Sequence, residues 1–408
     1  TATFKTTPNN AGVGIFDFKQ VVENYVSADN MAANFSEYKG VTTTDDTPHP
    51  LHLIDKYSKN KKGARWLTVQ FKTQYTDANG DIVTPEALFT VSVDYQLFNG
   101  YLKYSDILTM GTGATANNFG YDLSNFNLSS SSDKFLTNAP ATQYANLEDY
   151  GTLAFLAPND NLEYIKLTYY DSSGSPLGNE SINRTVTNGA YTNFSTEISS
   201  RLLYFGCFPA NLQNWSSTFQ ALVSAGTIQG GSIDVQAFGS SSNRIAKQYT
   251  ININCPDTKG FESIRLCWLN QWGVWDYYTF TKKSVRSIST KGSTYEQLAG
   301  TWNEAAYRVD SYKGGKKAFR VNATEKIKMN TDYISESEND MFEELINSPE
   351  VYILEGYQTD GTYSALNQYV KPVRLTTSSF TKKTVANDKL IQYSFEVEKS
   401  KTLRTQSV

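Results

Sequence analysis

The sequence predicts a mainly β protein: two to three sandwich- or barrel-like domains with a few short helices, the clearest helix in the C-terminal one. Three observations predict it. Charged residues make up only 19% of the chain while aromatics reach 13%. That balance, with abundant Tyr, Thr and Val, suits half-buried pleated strands better than solvated helices. Short alternating apolar runs recur between Gly, Asn and Ser turn signals. A capped helical pattern, by contrast, stands out once. At 408 residues the chain is too long for one ordinary core. Shifts in composition divide it at residues 1–130, 131–256 and 257–408.

The elements follow in order. One short helix is expected after Phe16. "ARWLTVQFKTQYT" and "ALFTVSVDYQLF" read as strands. Between them Asn79-Gly80 supplies the left-handed residues of a tight hairpin turn. The same stretch fails as a calcium loop, because Gly80 is fourth from Asp77 and an EF-hand needs glycine sixth. Residues 105–134 are polar and Gly/Ser-rich, a long connection. "EYIKLTYYDSSGSPLGNESI" is a hairpin turning at Ser172–Ser175. "SSTFQALVSAG" is a short helix stopped by Gly226. "QYTININC" is a strand. "STYEQLAGTWNEAAYRV" has helical spacing interrupted by Gly300. "KAFRVNATEKIKMNTD" alternates as strands do. In "SESENDMFEELINSPE" a helix over about 336–347 is capped by Ser335 or Ser337, carries acids in its first turn and stops at Pro349. "VYILEG", "VKPVRLTT" and "KLIQYSFEVEKS" complete the strands.

Several function classes lose support. The net charge is −4 and the lysines are scattered along the sequence, so nucleic acid is not expected as a partner. No apolar run approaches the roughly 18 residues of a membrane helix, so no membrane anchor is expected. The opening "TATFKTTPNNAGVGIF" lacks the basic end and apolar centre of a signal peptide. Three cysteines, Cys207, Cys255 and Cys267, without CxxC spacing, read as buried free thiols rather than a disulfide framework or a zinc site.

Catalytic constellations are equally thin. The two histidines, His49 and His52, follow Asp45 and Asp46 in "DDTPHPLHL". Pro48 and Pro50 make that an irregular loop with no third strong ligand. "YKGGKKAF" lacks the spacing of a phosphate loop and reads as a β-turn between charged strands. Asp276, among tryptophans, could be one carboxylate of a glycosidase. Its candidate partners, Glu262, Glu148 and Asp149, are not brought to it by any spacing. No catalytic residue, cofactor or metal ligand is therefore assigned.

The densest feature is "IRLCWLNQWGVWDYYTFTKKS", Ile264–Ser284. Alternation puts Ile264, Leu266 and Trp268 on one face of a strand. "VWDYYTFTKK" returns as a second strand, and Gly273 supplies the positive φ of the tip between them. Trp268 is expected in the core. Trp272, at the tip, is the leading candidate for contact with a neighbouring subunit, with Trp275 and Tyr277 beside it. An exposed aromatic platform stacking on sugar is the other reading of the same residues.

This block resembles a hairpin of virion structural proteins of tailed bacteriophages, usually tail-associated ones. "NGYLKYSD", "KFLTNAP", "YGTLAFL", "MNTDYISESENDMFEELINSPEVYIL" and "KPVRLTTSSFTKKTVANDKLIQYSFEVEKS" follow in the same order, so the similarity spreads over residues 90–400. The resemblance implies a non-enzymatic structural subunit of tail, baseplate or neck ring, assembled in the host bacterial cytoplasm and located in the virion. Its partners would be copies of itself and other virion proteins, with no cofactor. A carbohydrate-binding module meeting host surface glycan is the alternative reading, and a glycosidase is the third.

Overall fold

The computed structural model describes residues 3–27, 51, 56–59, 63–85, 89–90, 95–101, 103, 135–157, 162–183, 202–239, 241–254, 260–301, 305–356, 369–384, 390–401 and 403–407. The protein is mainly β, with 42% strand and 12% helix in several antiparallel sheets, as its composition predicts. Two compact units emerge. One holds residues 1–256, 267–277 and 356–369, the other 257–266, 278–355 and 370–408.

The first unit is built on two sheets that share a core. Five strands run in the order Pro176–Asn183, Tyr164–Tyr170, Ser232–Phe238, Tyr249–Ile253, Thr142–Ala145. Three more run Tyr57–Lys59, Leu202–Gly206, Thr152–Leu156. The period-2 pattern works as the pleat requires. Ile165, Leu167 and Tyr169 point inward with Ile233, Val235 and Ala237 beside them. The inner faces meet Tyr57, Leu153, Phe155, Leu203 and Phe205 of the smaller sheet in one continuous apolar cluster. That is the sandwich arrangement, two sheets closing on one another's apolar faces. Buried tyrosines still hydrogen-bond: Tyr57 donates to Ile182 O at 2.9 Å and Tyr249 to Ala139 O at 3.1 Å.

Two short helices, Pro209–Trp215 and Ser217–Ser224, add Leu212 and Phe219 to this core. Pro209 starts the first where its missing N–H is not needed. Ser216 caps the second, its Oγ accepting from Phe219 N at 3.0 Å, and Gly226 follows its end at φ +69°. The hairpin predicted at Ser172–Ser175 turns there. Asp171 Oδ1 accepts from Ser173 N at 2.9 Å and Ser175 N at 2.8 Å. The turn at Asn79-Gly80 also forms, between Tyr75–Thr76 and Ile82–Val83. Asp77 Oδ1 is taken there by two backbone N–H groups, of Asn79 and Asp81. A four-residue helix, Lys19–Val22, follows Phe16.

The second unit carries strands in the order Val351–Leu354, Val370–Leu375, Ser394–Lys399, Gly315–Asn330, Val285–Gln297, and Leu403–Ser407 also pairs with Gly315–Asn330. The hairpin of Ile264–Leu269 and Trp275–Phe280 stands at the Val351–Leu354 end of this order. Asn339–Asn347 is the predicted helix, led by a 3-10 turn over Glu336–Glu338. Ser335 and Glu338 form a reciprocal capping box, which satisfies donors the first turn would otherwise orphan. Phe342 turns the helix's apolar face toward the rings of Tyr278, Tyr393 and Phe395, at 5.0, 5.8 and 5.3 Å.

One expectation is corrected here. Ser293–Gln297, the first part of the segment with helical spacing, is the end of a 13-residue strand, Val285–Gln297. It pairs with Gly315–Asn330 along its whole length. Continuous cross-strand pairing overrides a weak local spacing, and Val285, Ile288, Thr290, Thr294 and Tyr295 favour the pleat in any case.

Candidate functional site

The aromatic block is a hairpin, as its alternation requires. Asn270 organises its tip. Its N–H donates to Val274 O at 2.9 Å, and its Oδ1 accepts from Trp272 N at 3.0 Å and Val274 N at 3.3 Å. Gly273 has φ +69°, and a Cβ there would fall 1.6 Å from Asn99 O. Glycine is thus required twice, by the turn and by the approach of another backbone. Tyr101 N donates to Gln271 O at 2.8 Å, so the segment 99–101 lies against the tip.

That approach overturns the exposure expected at the tip. Trp272 is 5% exposed, Trp275 3% and Tyr277 4%. The sequence shows a turn and therefore suggests a surface; it does not show that Asn99–Tyr101 closes over it. Tyr277 is anchored further. Its OH donates to Leu51 O at 3.2 Å and shares a hydrogen bond with Thr152 Oγ1 at 3.1 Å, while its ring lies 6.0 Å from that of Phe208. Trp268 is fully buried, as its place in the alternation predicts.

Asp276 is buried in the same hairpin. Its Oδ1 accepts from Thr137 Oγ1 at 2.7 Å and its Oδ2 from Asn270 Nδ2 at 3.0 Å. Asn270 Nδ2 also reaches Leu136 O at 2.9 Å. Loss of hydration on burial raises the carboxyl pKa to about 6, against the opposing pull of Thr137 and Asn270. This is a carboxylate with both oxygens taken by neutral donors, an arrangement that fixes a hairpin on its neighbour. None of the other three carboxylates shares its hydrogen bonds. Glu262 holds Arg286, Asp149 Oδ2 accepts from Asn146 N at 2.8 Å, and Glu148 is exposed.

Cys207 and Cys267 are buried free thiols, and burial pushes the Cys207 thiol up. Cys255, His49 and His52 lie outside the described residues. Among the described residues no three His, Cys, Asp or Glu side chains are grouped to hold a metal ion. No helix among them is long and apolar enough to cross a membrane.

Exposed apolar surface gathers on a different element, whose second strand alternates in sequence and whose first strand does not. Val285–Gln297 and Gly315–Asn330 form an antiparallel ribbon of 13 and 16 residues, about three times the usual strand length and on the order of 45 Å long. Ile288, Leu298, Tyr307, Val309, Tyr312 and Phe319 are each more than half exposed on the ribbon or its connection. With Val285 they make seven of the twenty exposed large apolar side chains among the described residues, in about a ninth of the chain. Val285–Gln297 also ends the strand order, so among the described residues its outer edge meets no further strand. A run such as "RSISTKGST" shows no apolar face, which is why it does not announce a strand. That absence is itself the signal of a strand that leaves the core.

No family model matches the chain, and no curated protein or solved structure matches it significantly.

Proposed function

We propose that this chain is a non-enzymatic structural subunit of a bacteriophage virion, in its tail, baseplate or neck ring, acting through contacts between subunits. The ordered similarity over residues 90–400 motivates the reading. The observation that carries it is the ribbon. Eleven of the thirteen residues of Val285–Gln297 are exposed, and among the described residues this strand pairs on one edge alone, with Gly315–Asn330, so it buries little surface against its own chain. A long edge strand beside clustered apolar side chains is also a liability for a free monomer. An assembly subunit turns both features to use, since burial against neighbours stabilises the ribbon and removes its edge from water.

The work of the protein is then mechanical: the core units hold shape and the ribbon reaches a neighbour. Virion and host cytoplasm, where particles assemble, follow as its locations. Mass spectrometry of purified particles tests the reading, with antibody labelling to locate the chain. The chain is expected in intact particles at fixed stoichiometry, with label at the tail or neck. Particles purified to homogeneity without the chain would remove the proposal.

A further inference from the structure

We infer that the ribbon docks on a second copy of this chain, against the acidic segment around the helix Asn339–Asn347. This rests on the structural-subunit reading and names its partner surface. Charge is the first argument. Residues 285–330 contain nine Lys and Arg against four Asp and Glu, a net of +5. The whole chain is −4, so the remainder carries −9. Nine of the 37 Lys and Arg of the chain thus fall in 46 residues that carry a local positive excess.

Register concentrates them further. Residues directly opposed in an antiparallel pair share a face. Lys291 opposes Asn322, Ser293 opposes Arg320 and Tyr295 opposes Lys317. Lys291, Lys317 and Arg320 therefore lie on one face with Tyr295, whose ring is 6.3 Å from that of Phe319. Lys317 Nζ reaches only a carbonyl, Tyr312 O at 3.0 Å, and Arg320 Nε only Asn322 Oδ1 at 3.0 Å. Among the described residues none of these three cations forms an ion pair, whereas Arg286 near the ribbon's base holds Glu262 and Glu325. The distal face is a patch of aromatics and unneutralised cations.

The complementary surface is in the same sequence. Residues 333–356 contain seven Asp and Glu and no Lys or Arg. Glu336, Asp340, Glu350 and Glu355 are exposed. Lys382 pairs with Asp340 and Glu343, at 2.7 and 2.6 Å. One patch is basic and the other acidic, so copies pair them either reciprocally about a two-fold axis or head to tail, the arrangement that repeats into a ring or an open chain. Rim-type ion pairs of this kind steer and align partners and weaken with salt.

The test uses the full chain and sedimentation velocity across a concentration and salt series. Wild type is expected to self-associate at low salt and to dissociate as salt rises. Lys291→Glu/Lys317→Glu/Arg320→Glu should weaken association about tenfold or more, as for three exposed pairs. Glu336→Lys/Glu350→Lys/Glu355→Lys should weaken it alike, and mixing the two variants should restore association between them. Circular dichroism and thermal melts of both variants check that each is folded. A ribbon variant that associates as wild type does, a mixture that fails to recover, or a wild type that stays monomeric overturns the contact. Ribbon-dependent binding to a DNA oligonucleotide without self-association also overturns it and assigns the face to nucleic acid. Finding the chain in purified particles despite any of these outcomes sinks this contact alone. Its absence from particles sinks the virion reading, whatever the ribbon does.

Discussion

Asp276 shows how a single residue reports its surroundings. In sequence it is a carboxylate among tryptophans, which suggests either chemistry or a pKa displaced by burial. The structure supplies the second with named partners, Thr137 and Asn270. Its folded-state pKa of about 6 lies above the ordinary 3.8, so the folded chain binds this proton before the unfolded chain does. Stability from this group is therefore greatest below the lower value, falls as pH rises between the two, and is level above the upper one. Between about pH 5 and pH 7 the loss is about 1 kcal/mol. Asp276→Asn should remove that part of the slope. The amide can offer Nδ2 to Thr137, whose hydroxyl is free to rotate, and Oδ1 to Asn270. Urea midpoints of both proteins at the two pH values decide the matter. Equal slopes would mean that Asp276 is ionised throughout.

At the scale of the element, local patterns were legible where one face is buried. Ile165, Leu167 and Tyr169 alternate because the sheet packs on one side, and that alternation can be read directly. The turns at Asn79-Gly80 and Ser172–Ser175 and the capped helix after Ser335 were legible for a similar reason: the chemistry that makes them is local. Gly315–Asn330 was legible too, in the alternation of "KAFRVNATEKIKMNTD", but its partner Val285–Gln297 was not, since a strand exposed on both faces has no apolar period to display. Nor was the closure of Asn99–Tyr101 over Gly273, a contact between segments over 170 residues apart. Glycines separate these cases experimentally. Gly174 and Gly273 both have positive φ, but a Cβ at Gly174 meets open space while one at Gly273 meets Asn99 O. Gly174→Ala should cost about 1 kcal/mol, the ordinary left-handed penalty. Gly273→Ala should cost about 3 kcal/mol or more, since the neighbouring backbone must also move. Denaturant melts of the two variants measure the difference, and similar losses would show that the tip yields easily to its neighbour.

For the molecule as a whole, the question is where apolar surface ends up. The sequence places its densest aromatic run at residues 264–284, and a platform for sugar or subunit is the natural inference from such density. The fold spends that run on its interior and leaves Ile288, Tyr312 and Phe319 outside instead. Density in sequence measures apolar content. Exposure depends on which distant segments arrive, and composition holds no record of that. The two uses of the hairpin diverge in one substitution. Trp272 is 5% exposed, so Trp272→Ala should leave a cavity and cost about 3–5 kcal/mol, as large aromatic truncations in cores do. Thermal melts should show that loss, and a glycan array should show no signal that wild type has and the variant lacks. A platform makes the reverse demand: the variant would melt as wild type does and lose sugar binding. That outcome would mean the tip opens in solution, and the aromatic hairpin would replace the ribbon as the surface through which this chain meets its partners.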